Sequence, residues 1–344
     1  MELQNRTLHY LPFVRACTPR GALFLLVLGL IVGKAAAGPL AYVTHENDVV
    51  SVIDTASQKL TATIKFPAGS RLIDLAVSPD GKRLWVSNAN QLGMVSIVDT
   101  GNNKIVRAVD VDGFAGELYV PGAIAFARDG TQVYVADWWT SAVVVFDELG
   151  NRDDRVKTAA GSTRGPCAIA VTPDGKRVYV TDCFSNTVSV INRSQSNAVT
   201  KVTVGAGPDS IALSPDGKYA FVMVGTPSAV SVISTIDNKV LASITVENAG
   251  FSGIAVSSNL QRAYATGADT SVSVIDISSK TLLKRIQVGR EPNGIALTPD
   301  GKHAYVANAG SGSISVIELA TDTVVASIAV GARPTKIAIV PPTP

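Results

Sequence analysis

Residues 288–317 read VGREPNGIALTPDGKHAYVANAGSGSISVI. Short β-branched and aromatic runs, GIAL ending at Leu297 and AYVAN ending at Asn308, flank Thr298-Pro299-Asp300-Gly301. In that turn proline presets φ and glycine accepts the left-handed residue, so the two runs form an antiparallel hairpin. A third run, SISVIE at 313–318, follows a Gly- and Ser-rich turn, and TVVASIAV at 323–330 follows a polar one. Each run is four to eight residues long, with no 3.6-residue period, which is strand chemistry.

The same unit recurs along the chain. Its turn ends at Gly81, Gly130, Gly175, Gly217, Leu260 and Gly301, 41 to 49 residues apart. An aromatic-centred strand follows each time: RLWVSN, QVYVAD, RVYVTD, YAFVMV, RAYATG and HAYVAN. Four strands in about 42 residues describe one blade of a β-propeller. The last unit stops after a single strand, Ile337–Val340, and the N-terminal strands Leu40–His45, Val49–Ile53 and Leu60–Phe66 supply the missing three. Counting units predicts an all-β, seven-bladed propeller of four-stranded blades, closed by pairing of the chain's two ends, which removes the sheet edges.

Upstream of the repeats, Arg6, Arg15 and Arg20 precede the apolar run Gly21–Gly33 and the triplet Ala35-Ala36-Ala37. A basic segment, a short apolar core and an A-x-A site describe a secretory signal peptide over residues 1–37. The run covers only about 20 Å of a roughly 30 Å hydrocarbon core, so cleavage is favoured over retention as an anchor. Residues 38–344 form the propeller, expected in the periplasm or secreted, monomeric and without a membrane span. The whole chain is 46% hydrophobic and 17% charged with a formal charge of +2, and residues 38–344 balance 26 basic against 27 acidic groups. That composition excludes a disordered chain and a basic nucleic-acid binder. Only Cys167 and Cys183 remain after cleavage. They flank one hairpin whose midpoint is the turn at residue 175, so a structural disulfide is favoured over free thiols or a redox or metal pair beside Asp182.

The pattern G-x-x-P-x-x-I-A-x-[ST]-P-D-G-K-x-x-Y-V-x-N … V-S-V-I-D, clearest over Gly205–Asp276 and Val288–Ile317, resembles the YVTN-repeat β-propeller family. The resemblance implies a seven-bladed propeller of the kind found in exported bacterial and archaeal surface-layer proteins. It says little about function, because the shared residues build blades.

Tyr42, Trp85, Tyr134, Tyr179, Phe221, Tyr264 and Tyr305 share one strand position and read as core. Asp80, Asp174, Asp216 and Asp300 read as turn residues. Candidate site residues come from strand ends near the channel. One ring position gives His45, Asn88, Asp137, Asp182 and Asn308, and the connection into each inner strand gives Asp209 and Asn293. These either cap strand ends or form a polar-ligand or hard-cation site. Trp138, Trp139 and Phe184 form a second group, in loops where other units carry small residues. The connection at 112–119 adds Phe114 and Tyr119. Clustered aromatics at a loop face suit ligand recognition, or the insertion covers the Trp pair as a private core.

The sequence contains no GxSxG, P-loop or HExxH motif, which favours a non-catalytic binder of a small molecule, glycan or protein. The alternative is a propeller enzyme or cofactor carrier. At the level of fold, seven-bladed relatives include lactonases, lyases and haem d1 propellers, and His45 is the axial ligand a haem d1 reader would need. The sequence requires no cofactor, and calcium and haem d1 are the two groups its mouth residues allow.

Overall fold

The computed structural model describes residues 39–89, 93–111, 120–158, 165–246, 253–259 and 261–340. The expected leader at 1–37 and the connection carrying Phe114 and Tyr119 lie outside the described residues.

The chain forms seven four-stranded antiparallel sheets. Blade 1 combines Pro334–Ile339 with Leu40–His45, Val49–Asp54 and Lys59–Lys65, so the C-terminal strand closes the ring. Its register sets Tyr42 opposite Ala338 and Val43 opposite Ile337. Blades 2 to 7 follow in chain order, spanning 72–110, 121–157, 166–203, 206–245, 254–287 and 292–329. The first strand of each blade touches that of the next around a central channel.

Burial follows position in the blade. The second and third strands are almost wholly buried, whereas outer strands such as Thr323–Ala329 bury little besides Ile328. Each apolar cluster joins two neighbouring blades. Trp85 of blade 2, for example, packs edge-on against Phe126 of blade 3 at 6.0 Å and tilts against Phe146 at 5.8 Å. Fully burying one such aliphatic or aromatic side chain contributes about 1.5–3 kcal/mol, so blade-to-blade packing is what holds the ring.

The repeat tetrad that opens with Tyr-Val now has a physical reading. The aromatic residue is buried, and its hydroxyl reaches the next blade: Tyr42 donates to Asn103 Oδ1 at 3.0 Å, Tyr179 to Asn238 Oδ1 at 2.7 Å and Tyr305 to the Thr55 carbonyl at 3.1 Å. Burial pushes the Tyr42 and Tyr305 hydroxyls up to about 12. The third residue serves the inner strand, which carries a β-bulge facing it. There the amides of Asp74, Ala168 and Lys336 donate to the hydroxyls of Ser87, Thr181 and Thr44 at 2.9–3.1 Å. Bulges leave an amide without a ladder partner, and a hydroxyl in this position satisfies it.

The Pro-Asp-Gly turns are structural. Asp80 accepts from Ser78 Oγ at 2.6 Å and from the Lys82 amide at 3.0 Å, and the Ser78 bond holds its carboxyl below the usual range. Asp174, Asp216 and Asp300 repeat the arrangement.

Candidate functional site

Trp138 and Trp139 follow the second strand of blade 3, and Phe184 occupies the equivalent loop of blade 4. Trp138 lies 6.3 Å from Trp139, tilted, and 6.0 Å edge-on from Phe184 across the blade boundary. Trp138 is half-buried, while Trp139 is 39% and Phe184 64% exposed. The sequence placed these three rings together, and the structure does the same. Cys183 precedes Phe184 and is joined to Cys167, with Cα atoms 6.1 Å apart. Cys167 sits at the bulge of its inner strand and lines the central channel. The aromatic cluster therefore stands beside the channel, on blades 3 and 4.

One charged pair lies within blade 3, and a second set of contacts joins blade 4 to blade 3. Asp137 is fully buried and paired with Arg155 at 2.9 Å, and it also accepts from Thr140. Arg193 approaches Asp154 at 3.4 Å, donates to Asn197 Oδ1 at 2.7 Å and lies over the Tyr134 ring at 5.7 Å.

The ring of polar strand ends is not brought together around the channel. Its members are buried, and all but Asp137 turn toward the third strand of their own blade. Asn88 donates to Ser96 Oγ at 2.8 Å and Asn308 to Ser315 Oγ at 2.9 Å. Asp182 accepts from Ser189 Oγ at 2.6 Å and from Thr187 at 3.2 Å. His45 is 1% exposed, with Nε2 on Ser51 Oγ at 2.8 Å and Nδ1 on the Ala332 carbonyl. Burial lowers the His45 pKa and raises that of Asp182. Both His45 nitrogens are engaged, so the residue does not fit an axial haem ligand. Asp137, Asp182 and Asp209 do not converge as a calcium site either, since Asp137 is held by Arg155 and Asp182 by its own blade. Among the described residues no group of three His, Cys, Asp or Glu side chains is placed to hold a metal ion.

Asp209 does line the channel, whereas Asn293 is half-buried and uses its carbonyl to accept from the Gly253 amide at 3.0 Å and from Thr266 at 2.7 Å. The channel encloses about 180 Å³, bordered by Cys167, Asp209, Ser210 and two residues the sequence reading passed over, Asp74 and Lys336. Aligning the inner strands on their Ile or Leu would have found them. The preceding position is Ala123, Ala168, Ser210, Gly253 or Gly294 in five blades, and charged in blades 1 and 2. Burial pushes the Asp74 carboxyl up, opposed by Lys336 nearby and by the amides of Ile124 and Leu75.

A profile of the lactonase, 7-bladed beta-propeller family matches residues 52–324. The chain belongs to that family. Solved structures similar to this lactonase-family propeller share its fold at low identity. A protein of unknown function from Desulfotomaculum acetoxidans is 17% identical, with a TM-score of 0.72 over 89% of this chain and 100% of that one. A protein proposed to be a 6-phosphogluconolactonase, from Bacteroides uniformis, is 18% identical, with a TM-score of 0.72 over 88% of this chain and 99% of that one. The dihydro-haem d1 dehydrogenase NirN is 19% identical, with a TM-score of 0.63 over 85% of this chain and 64% of that one. No curated protein matches the sequence.

Proposed function

We propose that this lactonase-family chain is an exported propeller of the YVTN type. It binds a small molecule, glycan or protein at the aromatic corner of blades 3 and 4 and catalyses no reaction. One observation carries the reading: Trp139 and Phe184 stay 39% and 64% exposed while packed against Trp138, Phe184 across a blade boundary. Large aromatics left at a loop face supply contact area with little conformational entropy to lose. The buried Asp137–Arg155 pair, at the end of the strand that leads into Trp138, and the disulfide beside Phe184 hold the rings in place before a ligand arrives.

Native mass spectrometry on protein recovered from the envelope of its host tests this, comparing wild type with Trp139→Ala/Phe184→Ala. Wild type should carry excess mass or a partner that the double variant lacks, with melting temperatures within about 2 °C. Equally bare masses, or a collapse in stability, would reject the binding reading in favour of a packing role.

Lactone hydrolysis is the second reading, supported by the family match over 52–324 and by a neighbour proposed to be a 6-phosphogluconolactonase. Turnover of 6-phosphogluconolactone by purified wild-type protein would replace the binder by an enzyme.

A further inference from the structure

The channel itself, apart from the aromatic corner, has the features of a ligand site. Five of the seven inner strands carry Ala, Ser or Gly at the position before their Ile, and crowding explains part of this. A Cβ on Gly294 would lie 2.7 Å from the Thr335 carbonyl oxygen and 2.8 Å from Lys336 Cα, and one on Gly253 would lie 2.9 Å from the Asn293 oxygen. Long side chains occur at this position only as Asp74 and Lys336, on adjacent blades. Both line the same cavity of about 180 Å³.

Their main chains are already satisfied, by Ser87 at 3.0 Å and Thr44 at 3.1 Å. Asp74 Oδ2 accepts from the Ile124 amide at 3.0 Å. The Lys336 ammonium makes no hydrogen bond or ion pair with any described residue, although it is close enough to Asp74 to act on its titration. The Lys336 ammonium thus stands near the Asp74 carboxylate on the same cavity without touching it.

The gap between them suits a molecule with a negative end for Lys336 and a positive end for Asp74. A simple anion would pair with Lys336 while facing the carboxylates of Asp74 and Asp209. A simple cation would pair with a carboxylate while facing Lys336. The cavity equals about six water volumes at about 30 Å³ each, which leaves room for a small amino acid together with a few waters. We propose that the channel throat binds a small zwitterion, its carboxylate on Lys336 and its ammonium on Asp74. This site rests on its own geometry and not on the aromatic corner.

Calorimetric titration and thermal shift with glycine test it on wild-type protein, with acetate and methylammonium as the two half-ligands. Glycine should bind and raise the melting temperature, and each half-ligand should bind at least tenfold more weakly. Lys336→Met and Asp74→Asn should each weaken glycine at least tenfold, while Trp139→Ala/Phe184→Ala should leave it unchanged. No response to glycine, or acetate binding as well as glycine, would overturn the proposal without reference to any variant. An undiminished glycine response in folded Lys336→Met would overturn it too. Failure here leaves the aromatic-corner reading standing, and loss of that reading leaves the glycine result unaffected.

Discussion

At the scale of single residues, the same strand position holds Asn88, Asp182 and Asn308, and each bonds a serine of the neighbouring strand. Asn donates to that serine, whereas Asp182 accepts from it in a fully buried place where a charge is disfavoured. In all three the side-chain oxygen Oδ1 has no hydrogen-bond partner among the described residues, so the difference at Asp182 is its charge. Burial raises the Asp182 pKa above its unfolded value, so the folded state favours the protonated form. The associated stability is present below the unfolded carboxylate range near pH 4 and is lost as pH rises through the folded pKa. Asp182→Asn should therefore stabilise the protein at pH 7 by about 1 kcal/mol, the scale of one buried polar mismatch, with the gain fading below about pH 4. Urea unfolding at pH 7 and pH 3.5 checks both limbs. These residues were read from sequence as strand ends near the mouth. Chain position was legible, but which neighbour a side chain turns to was not, because that depends on the serine across the pair and the bulge on the inner strand. Asp74 and Lys336 were missed for a related reason: their departure from Ala, Ser or Gly shows only when inner strands are set side by side.

At the scale of elements, the inner strand of blade 4 and the loop before Phe184 are tied by Cys167 and Cys183, 16 residues apart. The sequence placed the two cysteines opposite each other or one position off. The register shift between Pro166 and Ala168, which leaves Cys167 at the bulge, accommodates that offset. Constraining a loop of this length in the unfolded chain contributes about 3 kcal/mol in the chain-entropy model. Cys167→Ala/Cys183→Ala should lose about that much in denaturant unfolding. Reductant should lower the wild-type melting temperature by several degrees and leave the double variant unmoved. Inner strands obey a second constraint, close approach to one another. Gly294→Ala would press a methyl against the backbone of Thr335 and Lys336. It should cost about 1–3 kcal/mol, the usual range for overpacking, as read from the same unfolding curves.

At the scale of the whole molecule, the ring is closed by Pro334–Ile339 pairing with Leu40–His45. The apolar cluster of Val43, Ile53, Tyr305 and Ile314 spans that seam. A chain ending at residue 331 would leave blade 1 with three strands and an open edge. It should elute as aggregate or unfold without a cooperative transition, whereas the full chain melts as one unit; gel filtration with circular dichroism distinguishes these. The architecture was legible because a period of about 42 residues repeats over the whole chain, and a periodic signal survives local errors. The aromatic corner was legible for the opposite reason, as a departure from the period at Trp138, Trp139 and Phe184. This corner is the proposed place where the protein meets its ligand. Trp85 supplies an internal reference, since it is fully buried and blind to anything bound outside. Hydroxyl-radical footprinting in the intact host envelope and on the purified protein tests the claim most directly. Trp139 and Phe184 should be labelled several-fold less in the envelope, with Trp85 unreactive in both. Equal labelling of Trp139 and Phe184 in the two settings would contradict it.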